Sequence, residues 1–136
     1  MSRTTTVASD HDVLVVGGGI AGLQTALDLA DRGRKVLVVE TEPSIGGKMI
    51  ALSKVFPTMD CASCITTPRM SSAAHHDYVD VWVYSEIEEL TPDPEGGFSA
   101  RIRRKATYVN EVDCIGCRLC EYACPVEVPH EFEGQL

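Results

Sequence analysis

The sequence predicts an α/β protein that begins with a parallel strand–helix–strand unit and ends in a cysteine-rich segment. Near the start, two apolar runs flank a glycine-rich turn and a stretch with helical periodicity. Near the end, four cysteines fall between residues 114 and 124. Between these regions, short alternating runs predict an antiparallel β insertion.

Composition and charge narrow the class of protein. The chain has 136 residues, of which 44% are hydrophobic and 24% charged, as in a globular domain. The net charge of -8 disfavours nucleic acid and anionic membrane surfaces as partners. No apolar run approaches the ~20 residues of a membrane span. Residues 1–11 form a polar leader without an export signal, so we expect a cytoplasmic protein.

The strand–helix–strand unit follows this leader. Residues 12–16, DVLVV, are typical of a strand buried on both faces of a parallel sheet. Apolar residues then recur at helical spacing from Ile20 to Arg32, and Gly33 supplies a stop. Residues 35–40, KVLVVE, form the second strand. This order predicts one right-handed parallel unit.

The middle of the chain has weaker patterns. Residues 41–77 predict mostly loop, with short helices near 48–54 and 67–74. Residues 79–84 and 98–103 alternate between apolar and polar and predict antiparallel strands, with turn residues at 91–97. We expect residues 107–113 to extend the second of these strands.

The glycine-rich turn fits the pattern G-x-G-x-x-G through Gly17, Gly19 and Gly22, placed between a predicted strand and a predicted helix. Gly17 allows the tight turn, Gly19 lets the backbone approach a pyrophosphate, and Gly22 lets helix and strand pack closely. The positive end of the helix points at that pyrophosphate. The pattern predicts a partial Rossmann-like dinucleotide-binding unit.

An acidic residue and a second glycine pair refine this prediction. Glu40 ends the second strand, where a carboxylate binds the adenosine ribose hydroxyls and repels a 2'-phosphate. Gly46 and Gly47 follow five residues later and resemble the E-x5-G-G extension of many FAD-dependent oxidoreductases. FAD is therefore favoured over NAD, although the shared fingerprint serves both.

The four late cysteines have the spacing of an iron–sulfur site. Cys114, Cys117, Cys120 and Cys124, with Pro125 behind them, match the bacterial ferredoxin run for 4Fe-4S clusters. In two-cluster ferredoxins the cysteine before proline ligates the other cluster. The pattern predicts a ferredoxin-type 4Fe-4S segment over residues 111–136, after a partial FAD-binding domain over residues 12–110.

Two further cysteines leave alternatives open. One of the pair Cys61 and Cys64 can complete the first cluster or join Cys124 on a second one, and the pair can also be a redox dithiol or plain buried thiols. Tetrahedral zinc, held by this pair and two later cysteines, is the competing metal. The alternative function is therefore a non-catalytic zinc-stapled nucleotide-binding module, or a degenerate fragment. Zinc leaves Cys120 and Cys124 unexplained.

Taken together, four stretches resemble the N-terminal region of the A subunit of heterodisulfide reductase. They are VVGGGIAGLQTALDLADRG, VVETEPSIGGKM, FPTMDCASCITTPRM and YVNEVDCIGCRLCEYACPVEVPHEF. The resemblance implies an oxidoreductase subunit that passes electrons between FAD and 4Fe-4S clusters within a multi-subunit cytoplasmic complex. The residues it implies as FAD contacts are Gly17, Gly19, Gly22, Glu40, Gly46 and Gly47. The iron ligands it implies are Cys114, Cys117, Cys120 and Cys124.

Overall fold

The computed structural model describes residues 10–94, 96–110 and 113–126, and it divides the chain into two units. The first unit ends at Lys105 and the second begins at Ala106. The predicted leader lies outside the described residues except for Asp10 and His11.

The first unit contains both strands and helices, and the described part of the second unit contains one short helix. In chain order they are β1 (Val13–Val16), α1 (Ile20–Ala30), β2 (Val36–Val39), a 3₁₀ helix (Gly47–Ala51), β3 (Lys54–Val55), β4 (Asp60–Cys61), α2 (Ala62–Ala74), β5 (Val79–Trp82), β6 (Ser85–Pro92), β7 (Phe98–Arg104) and α3 (Leu119–Tyr122).

The main sheet has the order β1-β2-β5, and both strand pairs are parallel. The predicted α/β fold class is thus confirmed. Every residue of the central strand β2 is buried. The prediction of burial on both faces is wrong for β1, because β1 lies at the edge of this sheet and its Val16 is 71% exposed.

The core of the first unit lies between the sheet and the two longer helices. One face of α1 is buried and supplies Leu23, Ala26, Leu27 and Ala30. They pack with Val36 and Val38 of β2, Ala73 of α2 and Val79 of β5, among others. The end of α1 follows the prediction, since Gly33 is left-handed (φ 77°) and its N–H donates to the carbonyl of Ala30 at 2.8 Å.

Helix α2 corrects the prediction for residues 41–77. It begins at Ala62 and not at residue 67, and Pro68 lies inside it. Proline removes only one backbone donor here, while Thr66 and Ala73 are fully buried and hold the helix in place. The helical pattern was weak because the buried residues are small. The short helix predicted near residues 48–54 is the 3₁₀ helix.

The strands after α2 also differ from the prediction. Strand β5 was expected to be antiparallel, but it pairs in parallel with β2 because α2 provides the crossover connection. Strand β6 was missed, and it is the antiparallel partner of β7. In the sequence, the charged residues of β6 are typical of an exposed turn. In the fold, Glu86 lies 2.6 Å from Arg103 of β7 across the hairpin. Residues 107–110 form no strand.

The second unit is described over residues 106–110 and 113–126. All of these residues are exposed to solvent, including Ile115, Leu119 and Tyr122. Local polar contacts order α3, where the guanidinium of Arg118 binds Glu121 through two hydrogen bonds of 2.7 Å. In the part of the chain that the structure describes, no helix is long and apolar enough to cross a membrane.

Candidate functional site

The carboxyl edge of the main sheet brings the predicted nucleotide-binding residues together. Gly17 directly follows β1, and its N–H donates to the carbonyl of Val39 in β2 at 2.8 Å. The second glycine pair joins the same turn, because the N–H of Gly46 donates to the carbonyl of Gly18 at 2.7 Å. Gly19 and Gly46 also form a parallel bridge. Parallel sheets bind nucleotides at this edge.

The glycines of the turn differ in what a side chain would meet. A Cβ on Gly22 would lie 2.0 Å from the carbonyl oxygen of Gly17, so this position is closed by the backbone itself. A Cβ on Gly47 would lie 3.1 Å from the Cα of Gly19. A Cβ on Gly19, in contrast, would meet no atom within 4 Å. The turn is therefore closely packed at Gly22 and Gly47, whereas the space beside Gly19 is open.

The open side of the turn coincides with the start of α1. Gly19 is the N-cap residue of that helix, whose first N–H groups have no partner within the helix. They carry the positive end of the helix dipole, which attracts phosphate. A backbone cradle without Cβ atoms, beside unpaired N–H donors, fits the diphosphate of a dinucleotide such as FAD.

Glu40 was predicted to bind a ribose, but its side chain also accepts hydrogen bonds from the turn itself. Its side chain is buried, with 7% exposure, and Oε2 accepts the N–H of Gly18 at 2.6 Å. Oε1 accepts the N–H of Glu42 at 2.9 Å and the hydroxyl of Thr41 at 3.1 Å. A carboxylate has about four acceptor positions. The N–H group of Thr41 also hydrogen-bonds to this carboxylate, so most of its acceptor capacity is used to fix the turn.

The charge of Glu40 is stabilised in the fold. Burial alone raises the pKa of its carboxyl group, but the hydrogen bonds from the N–H groups of Glu42 and Gly18 and from Thr41 outweigh it. The net result is a pKa below the ordinary value. Glu40 is consequently an anion that holds Gly18 in place at neutral pH.

Two residues at this site were not found from the sequence. Gly18 is buried and links Glu40 to Gly46 through its N–H and its carbonyl. Met70 of α2 lies against the glycine pair, since a Cβ on Gly46 would be 2.9 Å from its sulfur. Gly18 stands at a variable position of the motif, and Met70 is distant in sequence, so neither carries a local signal.

The four-cysteine run lies entirely in the second unit. All four cysteines are free and exposed. Gly116 (φ 69°) and Arg118 (φ 62°) have left-handed backbone, which makes the segment an irregular loop before α3. An open concavity of about 460 Å³ lies within this loop, and Cys114, Cys117 and Cys120 line it.

The loop fits an iron–sulfur cluster in its donor chemistry. The volume of the concavity far exceeds the ~30 Å³ that one water molecule occupies in the liquid, so the concavity has room for a group larger than a single ion. The fourth cysteine, Cys124, is not among the lining residues, and its sulfur lies 4.0 Å from the carbonyl oxygen of Val126. Within residues 10–94, 96–110 and 113–126, no three His, Cys, Asp or Glu side chains already form a metal site. The thiols therefore share a concavity without being gathered into a ligand sphere.

Cys61 and Cys64 belong to the first unit, at the start of α2. Cys61 is the N-cap residue, and its sulfur accepts the N–H of Cys64 at 3.4 Å. Both residues are exposed, so the alternative of plain buried thiols is wrong. Hydrogen bonds from the side chain and the backbone of Cys64 lower the pKa of Cys61. The pKa of Cys64 is raised by the hydrogen bond to Cys61 and by the negative charges of Cys61 and Asp60.

Two family models match this chain. The model for FAD dependent oxidoreductases matches residues 12–95, which contain the glycine turn and Glu40. The model for the 4Fe-4S binding domain matches residues 107–130, which contain the four-cysteine run. The two predicted cofactors, FAD and a 4Fe-4S cluster, are thereby confirmed.

Relatives with high identity come from archaea. The chain is 48% identical over 123 residues to an iron-sulfur A subunit of the CoB–CoM heterodisulfide reductase of Methanopyrus kandleri, covering 90% of this chain and 19% of that protein. It is 49% identical over 127 residues to the corresponding A subunit of Methanocaldococcus jannaschii, covering 93% and 19%. The chain thus spans about a fifth of the length of these relatives.

Two solved structures have a fold similar to part of this chain. The L-proline dehydrogenase of P. horikoshii has a TM-score of 0.60 at 20% identity, covering 69% of this chain and 19% of that one. The thioredoxin reductase of T. acidophilum has a TM-score of 0.57 at 22% identity, covering 71% and 33%. The matched model over residues 12–95 shows that the chain belongs to the FAD dependent oxidoreductase family, and the chain is similar over 90% or more of its length to heterodisulfide reductase A subunits.

Proposed function

We propose that this chain is an electron-transfer subunit of the heterodisulfide reductase A type, which passes electrons between FAD and a 4Fe-4S cluster. The observation that carries the proposal is the presence, in one chain, of an open glycine cradle at Gly19 and a loop where three thiols line one concavity. A bound flavin supplies two-electron chemistry and a cluster supplies one-electron transfer. The side chains and backbone of the protein bind and orient these two groups.

The first unit binds and orients the flavin nucleotide. The N–H groups at the start of α1 would bind the diphosphate, with Gly19 giving access to it and Gly46 and Gly47 lying beside Gly19. Gly22 closes the contact between helix and turn. Glu40 holds the turn through Gly18, and its carboxylate is the group proposed to accept a ribose hydroxyl.

The second unit binds the cluster. Cys114, Cys117 and Cys120 provide three thiolates from one loop, and Cys124 is the fourth proposed ligand or serves a neighbouring cluster. Metal sites rarely exist fully formed before the metal binds, so we infer that the loop closes its thiolates around iron during assembly. Ligation by Cys61 and Cys64 stays a prediction.

Partners and compartment follow as part of the same proposal. Because the relatives are named as subunits of heterodisulfide reductases, we infer that other subunits supply and receive the electrons. The net charge of -8 suits basic partner surfaces. We place the protein in the cytoplasm, where thiols remain reduced and available to iron.

The proposal is tested by matched variants of the anaerobically prepared chain. Gly19→Ala adds a methyl group where the fold leaves open space, so it should keep the unfolding midpoint and lose flavin. Cys120→Ser should keep flavin and lose iron and sulfide. Leu119→Ala, an exposed neighbour of Cys120, is the control and should retain both cofactors.

The same measurements can contradict the proposed function. Zinc bound without acid-labile sulfide supports the zinc-stapled module and ends the electron-transfer proposal. Retention of full flavin by Gly19→Ala removes the cradle as the flavin site. Absence of both cofactors from the wild-type chain, prepared with its natural partners, supports the degenerate fragment.

A further inference from the structure

A tyrosine lies at the carboxyl edge of the main sheet, beside the residue proposed to bind a ribose. Strand β5 ends at Trp82, and Tyr84 follows two residues later. The N–H of Tyr84 donates to the carbonyl of Glu42 at 2.9 Å. The N–H of the next residue, Ser85, donates to the carbonyl of Glu40 at 2.8 Å. Backbone hydrogen bonds therefore fix Tyr84 next to the segment that contains Glu40.

The order of the strands matches the order of the groups in the adenosine half of FAD. The sheet has the order β1-β2-β5, and Gly17, Glu40 and Tyr84 follow these strands at the same edge. In the proposed site the diphosphate lies at the glycine turn after β1, and the ribose lies at Glu40 after β2. The adenine is attached to that ribose. A nucleotide that continues in the same direction places its adenine at the end of β5.

The backbone of Tyr84 is left-handed, with a φ of 56°. This region is unfavourable for a residue with a Cβ atom, whereas glycine adopts it readily. Backbone hydrogen bonds on both sides impose the conformation, since the carbonyl of Tyr84 accepts the N–H of Lys105 at 2.8 Å. Residues in such strained conformations are concentrated at ligand sites. A tyrosine at a corner that suits glycine points to a role for its ring.

The ring of Tyr84 is held by a neighbouring cation. The ammonium group of Lys105 lies over the ring, 5.2 Å from its centroid. The same ammonium group lies 2.6 Å from a carboxylate oxygen of Glu86, which keeps it in place. Tyr84 itself is half-buried. A ring that is already ordered gives a base a surface for stacking at a low cost in conformational entropy.

We propose that Tyr84 is a specificity-determining residue of the nucleotide site, where its ring stacks on the adenine of FAD. The inference rests on the nucleotide site of the proposed function and assigns to it a residue outside the glycine turn. Stacking of a base on an aromatic side chain strengthens binding by about 5- to 150-fold. FMN lacks the adenosine and gains nothing from this ring, so Tyr84 favours FAD over FMN.

The experiment measures the Kd of ADP by calorimetry on the full chain after removal of bound flavin. Tyr84→Gly removes the ring and suits the left-handed backbone, so it should keep the unfolding midpoint and bind ADP about 5- to 150-fold more weakly. Tyr84→Leu keeps a side chain without a ring and should also bind weakly. Tyr84→Phe keeps the ring and should bind within about twofold of the wild type. Tyr78→Leu removes an exposed tyrosine at the opposite end of β5, and as the control it should bind normally.

The same titration of Gly19→Ala separates this inference from the proposed function. The inference alone is overturned if Gly19→Ala loses ADP while Tyr84→Gly and Tyr84→Leu bind it as tightly as the wild type. It is also overturned if Tyr84→Phe binds as weakly as Tyr84→Gly, because the ring is then not the group that matters. Equal binding of ADP by Gly19→Ala and the wild type overturns the nucleotide site, and the role of Tyr84 with it.

Discussion

The two units of this chain are stabilised in different ways. Described residues of the first unit enclose a core in which Leu23, Val36 and Val38 are completely buried. In the second unit, every described residue is exposed, although several are large and apolar. One unit can therefore fold by burying apolar surface, whereas residues 106–110 and 113–126 of the other show local hydrogen bonds and four thiols but no buried core.

The difference separates binding from folding. The nucleotide cradle is built from backbone that the core already holds, so it exists before a nucleotide arrives. The cysteine loop has its thiols near one concavity, and its binding free energy becomes folding free energy when the metal joins them. Pre-organisation therefore describes the first site and coupled assembly the second.

The largest expected effect follows from removing iron. Oxidative loss of the cluster, followed by chelation, should bring amide hydrogen exchange of residues 113–126 to within about tenfold of an unfolded chain. Protection in α1 and β2 should remain. Hydrogen exchange with mass spectrometry measures both regions in one sample. Simultaneous loss of protection in both units would show that they are not stabilised separately.

A core substitution should produce the next largest effect. Leu23 has no exposed surface, so Leu23→Ala leaves a cavity in the first unit. The free energy of unfolding, measured in urea at constant pH, should fall by about 2.7 to 5 kcal/mol. Iron and sulfide per chain should stay unchanged. A loss below about 1 kcal/mol would mean that this core contributes little.

Glu40 should give an intermediate effect that depends on pH. In Glu40→Gln one oxygen becomes an amide donor that faces another donor, so the free energy of unfolding at pH 7 should fall by about 1 to 3 kcal/mol. Because the folded-state pKa lies below the ordinary value of 4.5, this stability is present above that value. It is lost as pH falls through the folded-state pKa.

Urea unfolding of both proteins at successive pH values checks this sign. The two curves should be separated at pH 7 and converge in acid, where the carboxyl group is protonated. A separation that persists unchanged into acid would show that the charge of Glu40 is not what holds Gly18.

The smallest effect is expected for a leucine of the second unit. Leu119 is 70% exposed, so Leu119→Ala removes little buried surface. We expect a change below about 0.5 kcal/mol in the free energy of unfolding. Leu23→Ala in the same urea series gives the loss of unfolding free energy for a buried leucine of the first unit, with which this value is compared. A cost equal to that of Leu23→Ala would reveal a core in the second unit.

The sequence predicted those features that have a local physical signal. The turn from Gly17 to Gly22 and the start of α1 at Ile20 are visible because strand, glycines and helical spacing follow each other directly. The predicted helix started too late, at residue 67, because Pro68 suggests a break. Tertiary packing of the buried Thr66 overrides that preference, and α2 starts at Ala62. Strand β6 was missed because its charges are satisfied only across the hairpin.

The candidate site shows the same division. The fingerprint residues follow from their spacing, whereas the bond from Gly18 to Glu40 depends on a fold contact between residues that are far apart in sequence. The spacing of Cys61 and Cys64 is visible in the sequence, but the capping position of Cys61 is visible only with the start of α2. Contacts between distant segments have no counterpart in a local pattern.

Electron uptake by the anaerobically assembled chain tests the central claim most directly. With all thiols reduced beforehand, a spectroelectrochemical titration should consume about three electrons per chain, two by FAD and one by the 4Fe-4S cluster. Both spectra should bleach within the same sample. Uptake of two electrons with no iron–sulfur signal, or no uptake at all, would contradict the account.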